Sequence, residues 1–95
     1  MSIIAEQPYI KIIREVSSVK KMEIEHERTM YLFSDKIVTE HREFSLTDVL
    51  DLSYRKIGVA GGILFLHTNH SVYSYTVKSS PHRFINSCKE QIKKR

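Results

Sequence analysis

The stretch that decides the fold is Gly61–Arg95, GGILFLHTNHSVYSYTVKSSPHRFINSCKEQIKKR. Ile63 to Thr68 and Ser71 to Lys78 are rich in β-branched and aromatic residues, which suit a pleated, half-buried surface, and Asn69-His70 between them supplies a two-residue turn. This predicts a hairpin. Ser79-Ser80-Pro81 follows. A serine hydroxyl there can accept from the first free helix amides, and proline at the first helical position sacrifices no hydrogen bond, so a helix is expected over 81–93. Along it Phe84, Ile85, Cys88 and Ile92 recur at spacings of three and four, an apolar stripe that must be buried. The rest of the chain offers only sheet to bury it against. Phe84 is the expected structural key.

Upstream, residues 1–8 read as a short flexible arm, with Pro8 marking where regular structure begins. Tyr9 to Val16 is a first strand, with Ile10, Ile12 and Arg14 on one face and Tyr9, Lys11, Ile13 and Glu15 on the other. Ser17-Ser18 turns the chain. From Val19 to Phe33, Met22, Ile24, His26, Met30 and Leu32 alternate with Glu23, Glu25, Glu27, Thr29 and Tyr31, the period of a half-buried strand. Fifteen residues is long for one strand, so the segment reads as one strand or two, with a bend or bulge near Glu27 to Thr29. Ser34-Asp35-Lys36 is a turn, Ile37 to Phe44 pairs back on Met30 to Phe33, and Ser45 to Asp48 is a corner. Val49 to Ile57 alternates again, and Gly58 to Gly62 is a loop or bulge. The fold class is therefore mainly β with one C-terminal helix. Six or seven antiparallel strands form a bent sheet or partly open barrel that the helix caps, in one domain over 1–95.

Ninety-five residues, 41% hydrophobic and 27% charged, suit one soluble domain with a single core. No apolar run is long enough to cross a bilayer, residues 1–8 lack a signal-peptide pattern, and a single cysteine makes no internal disulfide, so a cytoplasmic location is expected. The net charge of +4 invites an anionic partner. Much of the excess lies in Lys89 to Arg95, where cations complement the helix dipole and keep the end soluble.

On this pattern the chain resembles a pleckstrin-homology-like domain of the small bacterial, GRAM-like type. The resemblance is carried by Met30-Tyr31-Leu32-Phe33-Ser34-Asp35-Lys36-Ile37-Val38, by Phe44 to Val49, and by Gly62 to His67 running through the closing hairpin into Pro81-His82-Arg83-Phe84-Ile85, and it covers residues 28–93. It implies a binding scaffold rather than an enzyme, recognising a phosphoinositide, a peptide or a protein surface. In that family a phosphoinositide is held by basic residues of the first hairpin, here Lys11, Arg14, Lys20 and Lys21. The second strand departs from the pattern: Met22-Glu23-Ile24-Glu25 follows Lys20-Lys21, which replaces an expected arginine with two carboxylates.

The remaining chemistry points the same way. The five histidines have no recurrent zinc spacing. Cys88 lies on the apolar stripe, where a thiol behaves as a small hydrophobe. There is no nucleophile elbow, and Gly61-Gly62 leads into a strand instead of a phosphate-binding helix. Tyr9, Tyr31, Tyr54, Tyr73 and Tyr75 read as strand residues whose hydroxyls reach the surface. No catalytic residue, metal, cofactor or small-molecule substrate is expected. The leading expectation is an interaction module for a protein segment or a second copy of itself. The alternative is a binder of anionic membrane or nucleic acid through Lys11, Arg14, Lys20 and Lys21 with Lys93 and Lys94 of the tail.

Overall fold

A computed structural model describes residues 2–16, 21–59 and 61–94, with the backbone alone for 12–16 and 21–23. Seven strands and one helix follow in order: β1 (Ala5–Val16), β2 (Lys21–Leu32), β3 (Lys36–Val38), β4 (Glu43–Ser45), β5 (Val49–Lys56), β6 (Gly62–Thr68), β7 (Val72–Val77) and α1 (His82–Lys93). All strand pairs are antiparallel, in one open sheet of order β4-β3-β2-β1-β7-β6-β5. This is the mainly-β class with a C-terminal helix that the sequence predicts, in a sheet-plus-helix arrangement like that of a PH-like domain. No helix is long and apolar enough to cross a membrane among the described residues.

The sheet is strongly curled. Phe44 of β4 and Tyr73 of β7 meet edge to face with ring centroids 5.0 Å apart, although their strands stand four places apart in the sheet. At about 4.8 Å per strand a flat sheet would hold them roughly 19 Å apart. Curling gathers one core from every strand: Tyr9, Met30, Leu32, Ile37, Phe44, Val49, Leu52, Leu64, Leu66 and Val77, joined by Leu46 of the β4–β5 corner. The corner is tied down at both ends, Leu46 N–H donating to the Asp35 carbonyl and Asn69 N–H to the Asp48 carbonyl.

α1 completes this core. Phe84, Ile85 and Cys88 are buried, and Ile92 packs half-buried on the same cluster. The helix begins one residue later than proline at the first helical position would place it. Pro81, itself fully buried, is the N-cap residue, and no side chain caps the first turn. Ser79 and Ser80 stay exposed outside the helix, one position too far back to reach its second and third amides.

The structure corrects the sequence reading at four further places. Residues 1–8 are not all an arm: β1 starts at Ala5 opposite Leu32, and Ile4 N–H donates to the Leu32 carbonyl at 2.7 Å. Pairing with β2 there outweighs the local signals of Glu6, Gln7 and Pro8. The long second segment is one strand, in continuous register with β1 from Lys21 to Leu32. The irregularity sits in β5 instead, between Val49 and Asp51. That bulge lets Val49 and Leu52 both enter the core while Leu50 is left 63% exposed. The span Ile37 to Phe44 is two strands of three residues, folded back through Thr39 to Arg42. The Ser17-Ser18 turn lies outside the described residues.

The closing hairpin turns at Asn69-His70, but neither residue has positive φ. Thr68 closes it instead, its hydroxyl donating to the Ser71 carbonyl at 2.7 Å and accepting from Ser71 N–H at 3.0 Å. Gly62 opens β6 where the backbone of β5 passes closest, and a Cβ there would run into the Arg55 carbonyl oxygen.

Burial pushes the Cys88 thiol up from its ordinary 9.0 to about 12. Between those values the folded chain keeps a proton that the unfolded chain releases, so stability falls as pH rises across that window. Tyr75, raised chiefly by burial, and Lys36 and Lys78, raised by their bonds to Glu43 and Glu25, carry the same sign.

Two measurements follow. Phe84→Ala empties a site that is 2% exposed and is expected to cost roughly 3–5 kcal/mol in urea unfolding, against about 1 kcal/mol or less for an exposed helix position such as Asn86→Ala. In urea unfolding at steps of pH from 9 to 12, Cys88→Ala should lose stability less steeply than the parent, with the tyrosine and lysine contributions common to both. Equal slopes would contradict the burial of the thiol.

Candidate binding cleft and sheet edge

Two features of the surface are built in a way that packing alone does not require. The first is a cleft where β1 and β7 part. Among the described residues they pair only at Ile10 and Thr76, and the opening is lined by Tyr9, Ile10 and Lys11 on one side and Ser74, Tyr75 and Thr76 on the other. Thr39, His41 and Arg42 of the β3–β4 connection close one wall.

That connection is held rigidly. Thr39 Oγ1 accepts from Arg42 N–H at 3.1 Å, and Thr39 N–H donates to the Arg42 carbonyl at 2.8 Å, closing the tight turn. Glu40 N–H donates to the Tyr9 hydroxyl at 3.3 Å, which fixes the turn over β1. The Tyr9 and Tyr75 rings meet edge to face at 5.1 Å, and the Arg42 guanidinium stacks 4.8 Å above the Tyr73 ring. The cleft thus has an aromatic base with Lys11, His41 and Arg42 around it, and no carboxylate lines it among the described residues. The nearest one in sequence, Glu40, pairs instead with Arg28 at 3.3 Å. Arg28 Nε is buried with no hydrogen-bond partner.

The second feature is the free edge of β5. β4 and β5 are the two edges of the sheet. β4 is three residues long and carries the Lys36–Glu43 ion pair at 2.7 Å, the short charged form that discourages strand addition. β5 is eight residues long, paired to β6 on one side, with α1 packed beside it. Along this border Tyr54 meets the His82 ring edge to face at 5.8 Å and Lys89 reaches Asp51 at 3.6 Å. Leu50 and Ile57, both exposed, stand at its two ends.

Of the basic residues singled out from the sequence, those described lie on β1, on β2 and at the end of α1. Lys11 is exposed at the cleft. Arg14 lies on β1 in register with Glu23, and Lys21 on β2 in register with Val16; Lys20 falls outside the described residues. Lys93 and Lys94 are exposed at the end of α1 and line neither wall of the cleft. The sequence reading missed Thr39, His41 and Arg42 because it continued a strand through them. The signal was there in Thr39-Glu40-His41-Arg42, four polar residues that break the alternation between Val38 and Phe44. Of the tyrosines read as strand residues whose hydroxyls reach the surface, Tyr9 is buried and Tyr73 and Tyr75 pack half-buried on the core. Compared with known proteins, the chain matches no family model and no curated protein.

Proposed function

We propose that this chain is a non-catalytic PH-like interaction module that takes an extended protein segment as an added strand along the free edge of β5, beside α1. The observation that carries the reading is the unequal treatment of the two sheet edges. One is short and charged, and the other is long, open on its outer side and flanked by a helix. Main-chain bonds to the open edge supply affinity in this mode of recognition, and side chains at alternate positions supply specificity. The bulge at Val49/Asp51 restricts the usable edge to Asp51 through Lys56. Arg55, Lys56 and Arg83 are exposed at that border, so the segment that fits it carries acidic side chains.

A second reading is a small or surface-borne anion held in the β1–β7 cleft. It is favoured by one observation, the grouping of Lys11, His41 and Arg42 around a cleft with no carboxylate in its lining among the described residues. The two readings separate cleanly. Peptides selected from a displayed random library are expected to shift the backbone amide resonances of Asp51 to Lys56 and of α1, and Arg55→Glu is expected to weaken them severalfold. Selected peptides whose shifts cluster at Lys11, His41 and Arg42, or a library that yields no binder, would contradict the β5 site. For the cleft, inorganic phosphate and anionic vesicles should shift those three residues and lose affinity steeply as salt rises.

A further inference from the structure

Beyond Ile10, β1 is bonded on one side only. Among the described residues β7 pairs with it at that single position, and from Lys11 to Val16 its ladder runs to β2 alone. β3 in turn pairs with β2 only at Tyr31 and Leu32. The β1–β2 ribbon therefore stands out from the sheet, and the molecule measures 52 × 27 × 25 Å with a Cα radius of gyration of 14.6 Å, against about 12 Å for a compact chain of this length. A two-stranded ribbon is marginal in water, and its open edges are templates for further pairing.

We infer that this chain dimerises by pairing β1 with β1 of a second copy, antiparallel, about a two-fold axis at Ile13. The register selects the occupant. A two-fold axis relating adjacent antiparallel strands stands normal to the sheet and keeps every residue on its own face. Opposite residues then share parity, and the axis must pass through a residue. Centred on Ile13, Lys11 stands opposite Glu15 of the second copy, Glu15 opposite its Lys11, Ile12 opposite its Arg14, and Ile13 opposite itself. Centred one residue later, Arg14 opposes Arg14; one residue earlier, Lys11 opposes Ile13 and no charge is matched. On β2 the same test leaves a matched centre only at Met22, where Lys21 opposes Glu23. Any axis from Glu23 to Glu27 sets a glutamate opposite a glutamate, a destabilising pair. The Ile13 centre pairs the five positions from Lys11 to Glu15, and the Met22 centre pairs only the three from Lys21 to Glu23 among the described residues.

Pairing stops at Lys11 because Thr76 already holds Ile10. The product is a four-stranded ribbon, β2-β1 of one copy continued by β1-β2 of the other, which turns two marginal hairpins into a sheet wide enough to persist. This surface is separate from the β5 edge, so the dimer and the peptide site stand or fall independently.

Sedimentation equilibrium of the full chain, from about 1 µM to about 1 mM, tests the inference. The parent is expected to self-associate to a dimer. Lys11→Glu and Glu15→Lys each turn both symmetric contacts into like-charge pairs and should weaken the dimer about tenfold or more. The double variant, with the charges exchanged, should return to the parent value, and it supplies the reading if a single variant fails to fold. A parent that stays monomeric throughout would overturn the inference. So would a dimer indifferent to the single changes, or a folded double variant that does not recover.

Discussion

Everything in this structure depends on seating the Phe84, Ile85 and Cys88 stripe in the hollow of a curled sheet. A seven-stranded sheet of 95 residues has too little interior to cover both faces, and curling brings β4 against β7 to bury one. The hollow that results is closed only when a helix fills it. Hydrophobic burial is non-directional, so the stripe alone does not set the arrangement. The direction comes from the curl, which the Phe44–Tyr73 contact and the Leu46–Asp48 corner hold in place.

The same curl generates the candidate sites. As the sheet bends, β1 stays paired with β2 and β7 with β6. β1 and β7 separate after one register pair, opening the cleft and freeing the outer part of β1. Because the sheet does not close, β5 keeps an edge. The places where strand pairing is incomplete are therefore fixed by topology, and the residues at each differ in kind. The cleft carries cations and aromatic rings, the β5 edge carries basic and apolar residues beside a helix, and the β1 edge carries an alternation that matches itself.

Legibility in the sequence followed the range of the forces involved. The β6–β7 hairpin and α1 could be read because their signals are local: β-branched runs, a turn, a proline and an apolar stripe. The start of β1 could not, because only the distant β2 ladder makes Ala5 to Pro8 a strand. The bulge was misplaced for a related reason. Length suggested it in β2, whereas the core demanded it in β5, where Val49 and Leu52 must both point inward. The cleft was the least legible feature. Lys11 was found from its place on the first strand, but the partners that curling brings to it, Thr39, His41, Arg42 and Tyr75, lie 28 to 64 residues away in the chain. No spacing rule connects them.

The measurement that bears most directly on this account is the unfolding of a chain ended after Ser80, which keeps every strand and removes only α1. Without the stripe the hollow is exposed to water, and the account predicts loss of the cooperative thermal transition together with binding of a dye that reports exposed apolar surface. A truncated chain that still melts cooperatively at the temperature of the parent would show that the sheet holds its curl unaided, and would contradict it.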